Sequence, residues 1–291
     1  MDGELLRWLY HRLLDDPTLR HSRNCTYGDG LIALIYLMAA LSDRSPRWAS
    51  DKTNWPIWCR RLAFPSYSQL NKRLRARSVQ TLITQLNLEL RGRLPSTGDK
   101  IADGKPLVVG GYSHDPDARW GKVPDGWARG YKVHVIADSS GGIDHFAVTA
   151  LDAGEATVLR ELVTGTDLQG AVVRADANYD SNPTYQAIAD AKGKLVAVRR
   201  KPGTGLGHHP HHADRLAAIA KLEQSADGMT SHKRHRARIE QVLGHLTNLP
   251  YGLSPLPNFV RRIHRVHLWT TAKITLYHLH QVLSSQAAVA A

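Results

Sequence analysis

At 291 residues, with 42% hydrophobic and 22% charged side chains, the chain has the composition of a folded, soluble protein with room for one large domain or two ordinary ones, not of a disordered or fibrous one. The 38 Lys and Arg outweigh 26 Asp and Glu, leaving a net charge of +12, a balance that favours a polyanionic partner. Two distant cysteines, Cys25 and Cys59, exclude a disulfide framework or a CxxC zinc site; the acidic start Met1-Asp2-Gly3-Glu4 lacks the basic segment of a signal peptide, and the longest apolar run, Leu31 to Leu41, is too short to span a bilayer. The expectation is a cytoplasmic protein.

Residues 1 to about 95 read as a helical N-terminal domain. Leu5, Leu6, Leu9 and Leu13 recur at helical spacing, and Leu31, Leu34, Ile35, Met38 and Leu41 belong to a run apolar on most faces, as in a central core helix. Trp48, Trp55 and Trp58 read as core aromatics. Pro65-Ser66 then opens a capped helix bearing Gln69, Asn71, Lys72 and Arg73, side chains of the kind that meet base edges and phosphates, or that simply line a solvated face. Arg93 to Gly98 reads as a linker. After it the periodicity changes to strands at Ile101–Gly110, Gly130–Ala137 and Ile143–Leu151, the last two joined by the turn Ser139-Ser140-Gly141-Gly142. A helix follows Glu155, then a strand at Val172–Asp176, a helix at Thr184–Ala191, a strand at Leu195–Val198, and a basic, His-rich loop. Helices at Arg236–Leu246 and through Val266, Trp269, Ala272, Leu276, Leu279 and Leu283 close the chain. The order β-β-β-α-β-α-β-α predicts a mixed five-stranded sheet with helices on its faces, residues 96–291 forming one domain.

Three carboxylates carry the chemistry. Asp103 lies on the first, central strand, Asp176 ends a short apolar strand, and Glu240 sits on a helix that packs back over the sheet edge. Hard divalent cations take oxygen ligands on rigid elements, and two-metal phosphodiester chemistry needs such acids. Asp115 and Asp117 flank Pro116 as turn residues, Asp180 caps the following helix, and Glu240 has the alternative of pairing with Arg236 one turn away. Arg129, Lys132, Arg199, Arg200, Lys233 and Arg236 flank the acids in sequence and are candidates to hold a phosphate backbone. The tract Gly207-His208-His209-Pro210-His211-His212 reads as a loop in preference to a metal site. Trp120 and Trp127 read as core residues, or as aromatic platforms for a displaced base.

The segments Ala102-Asp103-Gly104-Lys105-Pro106-Leu107, Gly130-Tyr131-Lys132-Val133-His134, Ala175-Asp176-Ala177-Asn178-Tyr179-Asp180 and Arg236-Ala237-Arg238-Ile239-Glu240 together resemble the DDE transposases of the IS4/IS5-like bacterial insertion sequences. The last segment matches the Arg-x3-Glu part of that family's Tyr-x2-Arg-x3-Glu-x6-Lys signature; Lys233 stands where the signature has Tyr, and Thr247 where it has Lys. The resemblance covers roughly residues 100 to 275. It implies a ribonuclease-H-like catalytic domain, Asp103, Asp176 and Glu240 as ligands of two Mg²⁺ ions (Mn²⁺ substituting), double-stranded DNA with terminal inverted repeats as substrate, and a homodimeric synaptic complex in a nucleoid-associated setting. The competing expectations are a ribonuclease-H-like nuclease without strand transfer and a catalytically silent DNA-binding protein.

Overall fold

The computed structural model describes residues 2–16, 26–110, 113–202, 204–248, 252–253 and 255–290; Cys25 lies outside them, and Cys59 is buried as a free thiol. The chain divides into two compact units. Unit 1 comprises residues 1–94 and 246–291, and unit 2 residues 95–245. The C-terminal helix, expected with the sheet, belongs to unit 1. Among the described residues no helix is long and apolar enough to cross a membrane.

Unit 1 begins with α1 (Asp2–Leu14), α2 (Asp29–Leu41), α3 (Pro46–Ala49), α4 (Tyr67–Arg73) and α5 (Arg77–Gly92). Every residue of α2 from Gly30 to Leu41 is buried, so a helix with no polar face takes the centre. Gly30 permits this packing: a Cβ there would fall 2.1 Å from the Leu13 carbonyl oxygen of α1. The C-terminal helix, Ile263–Ala290, packs against α2 and α5, burying Trp269, Ile274, Leu276 and Leu279 together with polar residues. Each of these polar groups needs a partner in such surroundings. The Lys273 ammonium donates to the Ala40 carbonyl (2.7 Å) and to Asp43, and the His278 ring meets the Asn87 amide oxygen at 2.9 Å. Of the three early tryptophans, Trp55 is 1% exposed and donates from Nε1 to the Ala49 carbonyl.

Unit 2 is built on a six-stranded sheet: β1 (Asp99–Val108), β2 (Arg119–Val123), β3 (Gly126–Asp138), β4 (Ile143–Ala150), β5 (Val172–Ala175) and β6 (Lys194–Ala197). The order is β2-β3-β1-β5-β6, with β4 also paired to β3; β1–β3, β2–β3 and β3–β4 are antiparallel, β1–β5 and β5–β6 parallel. The sequence expectation of five strands missed β2, which is short and carries an exposed Arg119 and Trp120 in place of an apolar alternation. It forms a hairpin with β3 through Gly126, whose φ of 123° only glycine adopts without strain. Helices α6 (Glu155–Val163), α7 (Asn182–Asp190), α8 (Ala213–Glu223) and α9 (Gly228–Asn248) complete the unit. One sheet face joins Ala102, Ile136, Val173, Ala175, Leu195 and Ala197 in a core with Leu159, Val163, Tyr185 and Ile188 of α6 and α7. Alternation along the strands turns Asp103 to the opposite face.

Candidate active site

The two aspartates are brought together by strand register. β1 and β5 run parallel, with Asp99 beside Val172 and Ile101 beside Arg174. Continued two residues further, that register brings Asp103 level with Asp176, and the charge of Asp176 is felt at Asp103. Both lie where β5 gives way to a 3₁₀ turn, Ala177–Tyr179, which Asp176 itself caps by accepting the Asn178 N–H at 2.7 Å. Asp103 accepts the N–H of Gly104 at 2.8 Å.

Burial dominates the electrostatics. It pushes the Asp103 carboxyl up to about 6, opposed by the Gly104 N–H and Arg236 and reinforced by the charges of Asp176 and Glu155. Burial raises Asp176 as well, with Glu155 adding repulsion and the Asn178 N–H, Arg236 and Lys132 easing it. Arg236, on α9, places Nη2 3.9 Å from Asp103 Oδ2. Tyr179, 1% exposed, lies under the group, its hydroxyl held protonated by burial and by the same three carboxylates. His134 is kept neutral: burial and Lys132 bring it down to about 4.

Glu155 is the acid that sequence reasoning passed over. It stands in the first turn of α6, accepts from Lys132 Nζ at 2.8 Å and from Asn178 Nδ2 at 3.0 Å, and couples to both aspartates. Gly104 makes room for it: a Cβ there would lie 3.1 Å from both Glu155 Oε1 and Lys132 Cδ. Its only signal in the sequence is a helix start, which any acidic residue near a helix dipole would give. Glu240 is exposed on α9 and has no hydrogen-bond or ion-pair partner among the described residues, so the pairing with Arg236 does not form. It stands one turn beyond Arg236, on the same side of the helix. Among the described residues no three Asp, Glu, His or Cys side chains are close enough to hold a metal ion.

The candidate DNA contacts separate into groups. Lys72 and Lys233 are exposed and have no ion-pair partner among the described residues. Arg200 is exposed and donates to the carbonyls of Ala177 (3.2 Å) and Asn178 (3.0 Å), steadying the turn after Asp176. Lys132 and Arg236 serve the acids. Arg129 differs from expectation: its guanidinium is consumed by the carbonyls of Ala118, Ser113 and Asp115. So is that of Arg199, bidentate to Glu223 at 2.8 and 2.7 Å. In α4, Gln69 completes a capping box with Ser66, Arg73 pairs with Asp29, and Asn71 has no hydrogen-bond partner among the described residues. Asp180 does not cap α7; it takes Arg215 in a bidentate pair at 2.7 and 2.8 Å. Asp115 accepts the Tyr131 hydroxyl at 2.6 Å. The His tract is ordered by the start of α8, where His212 caps Asp214 N–H and His211 meets Arg215. Trp120 and Trp127 are not core residues: they are 61% and 72% exposed on the β2–β3 hairpin.

Paired carboxylates, Asp103 midway along β1 and Asp176 just past the end of the parallel β5, with helices on the sheet faces, define an α/β protein with a polar site on its sheet. The family profile of the transposase DDE domain matches residues 96–277, and the chain belongs to that family. No curated protein matches the sequence. Among solved structures the chain is similar to the piggyBac transposase in a synaptic complex with hairpin DNA, at 12% identity and a TM-score of 0.51, covering 98% of this chain and 73% of that one. A match to the Mos1 transposase paired-end complex with a left transposon end has 10% identity and a TM-score of 0.25, over 96% and 85% of the two chains.

Proposed function

We propose that this protein is a metal-dependent DNA transposase of the IS4/IS5-like kind, with a ribonuclease-H-like catalytic unit. It nicks DNA at the terminal inverted repeats of a mobile element and joins the freed 3′-hydroxyl to target DNA as a homodimer or larger complex. The observation that carries the reading is the register that sets Asp103 beside Asp176, two carboxylates each raised by burial and by neighbouring acids. Such a pair, with oxygen donors only, fits a hard divalent cation such as Mg²⁺, with Mn²⁺ as substitute. The chemistry such ions supply when bound is activation of the attacking oxygen and stabilisation of the leaving one.

The chain's own residues then have distinct tasks. Asp103 and Asp176 hold the charge, and Glu240 is the third carboxylate, delivered by the helix that already brings Arg236 to Asp103. Lys132 and Arg236 offset the acids so that a phosphodiester can approach. Arg200 fixes the turn behind Asp176, while the exposed Lys72 and Lys233 offer free cations to the DNA backbone. A second reading of the third acid has its own support: Glu155 already couples to both aspartates.

The decisive experiment is a cleavage and strand-transfer assay on the element's ends with Mg²⁺ or Mn²⁺, beside Asp176→Asn. Joined products that disappear in the variant, with DNA binding retained, support the transposase. Nicks without joining move the assignment to a nuclease, and binding without chemistry in either protein to a silent DNA-binding protein.

A further inference from the structure

The cations around the paired aspartates are not equally bound. Lys132 Nζ is held by Glu155 at 2.8 Å, and Arg200 donates to the carbonyls of Ala177 and Asn178. Arg236 makes no hydrogen bond among the described residues: its Nη2 stands 3.9 Å from Asp103 Oδ2, beyond bonding distance, and its Nε is buried without an acceptor. Its charge nevertheless reaches Asp103, Asp176 and the Tyr179 hydroxyl below them. The helix that carries it has footings of its own. His235 lies 3.8 Å from Asp99, Arg238 donates to the Ser139 carbonyl at 3.1 Å, and Ile239 is fully buried. The guanidinium can therefore turn away from Asp103 without breaking a hydrogen bond or unseating α9, and at 27% exposure its side chain already reaches solvent. A planar fork with unmatched donors is suited to a phosphate, which takes two of its N–H groups side by side. While it faces Asp103 it also repels any other cation brought to that carboxylate.

We propose that Arg236 couples the two ligands of this site. It neutralises Asp103 while no DNA is bound and turns to a backbone phosphate when DNA docks, so DNA and a divalent cation each strengthen the other's binding. The proposal rests on the metal-dependent DNA reading above and assigns the order in which that site is loaded. Without DNA the acids are partly satisfied by their own arginine and hold a divalent cation weakly. With DNA seated they lose that counter-charge and hold the ion tightly. The effect is reciprocal, because a competition relieved by one ligand helps the other by the same factor.

The test measures Mn²⁺ affinity by the paramagnetic resonance of the unbound ion. It uses the full-length protein with and without saturating duplex carrying an element end, the duplex alone being subtracted. Asp176→Asn marks which binding belongs to the site. In the wild type, DNA should tighten Mn²⁺ binding about tenfold. Arg236→Gln should bind Mn²⁺ about three- to tenfold more tightly than the wild type without DNA, and gain about twofold or less from DNA. Arg236→Lys keeps the charge and should return the weak binding seen without DNA. A glutamine variant that binds Mn²⁺ no more tightly than the wild type overturns the proposal. So does one that keeps the tenfold response to DNA, which would mean that a phosphate ligating the ion is the whole coupling. A lysine variant as tight as the glutamine one overturns it too, since charge would not be the cause. Wild type that binds Mn²⁺ no better than Asp176→Asn is a different failure: it removes the metal reading, and the proposal with it.

Discussion

The guanidinium of Arg236 reaches Asp103 only at 3.9 Å, and its Nε is buried without a partner. The cation facing Asp103 therefore offsets the cost of burying that carboxylate only in part, and burial leaves its charged form disfavoured in the folded protein.

Asp103→Asn should stabilise the metal-free protein at neutral pH while abolishing any chemistry. A carboxyl raised from 3.8 to about 6 binds its proton more readily folded than unfolded. Its contribution to stability therefore falls as pH rises from about 3.8 to 6 and stays low above that. The variant should gain about 1–3 kcal/mol at pH 7.5 and lose that advantage towards pH 4, read from thermal melts without divalent ions. A variant less stable than wild type at pH 7.5 would contradict a burial cost on the charged carboxylate. Adding Mg²⁺ should raise the melting temperature of wild type and not of the variant.

Glu155→Gln and Glu240→Gln distinguish the two candidates for the third acid. Glu240 is exposed and unpaired, so its amide should leave the melting temperature unchanged and eliminate cleavage. Glu155 is tied to Lys132 and Asn178, so its amide should alter stability and the pH profile first. Full activity in Glu240→Gln, with loss in Glu155→Gln, would transfer the role to Glu155.

Arg215→Met should be among the most damaging single changes in unit 2. Asp180 is buried, with its side chain 1% exposed, and would be left charged without its partner, at a cost of about 3–5 kcal/mol. The double change with Asp180→Asn should recover much of that, measured by denaturant unfolding; additive losses would mean that the two residues do not act as a pair.

Gly30→Ala should destabilise unit 1 by about 1–3 kcal/mol through overpacking, because a Cβ would press on the Leu13 carbonyl oxygen 2.1 Å away. A melt unchanged from wild type would show that α1 and α2 can part at little expense.

Much of this was legible in the sequence because it was local. The apolar run of α2, the helix cap at Ser66, the turn between β3 and β4 and the short strand before Asp176 each follow from neighbouring residues. β2 was hidden because an edge hairpin with exposed Trp120 and Trp127 shows no buried alternation, and α8 because a His and Gly-rich approach masks its start. Glu155 was hidden for another reason. Its place beside Asp103 depends on a glycine in β1, a lysine in β3 and an asparagine after β5, and no spacing within one segment encodes such a meeting.

The C-terminal helix packs on α2 and α5 although some 170 residues separate it from α5. A chain made from its N-terminus exposes the wholly apolar α2 long before that covering arrives, while residues 95–245 form a contiguous unit that can fold as it emerges. The face of α2 that Ile263–Ala290 covers is therefore the last part of the unit 1 core to be closed.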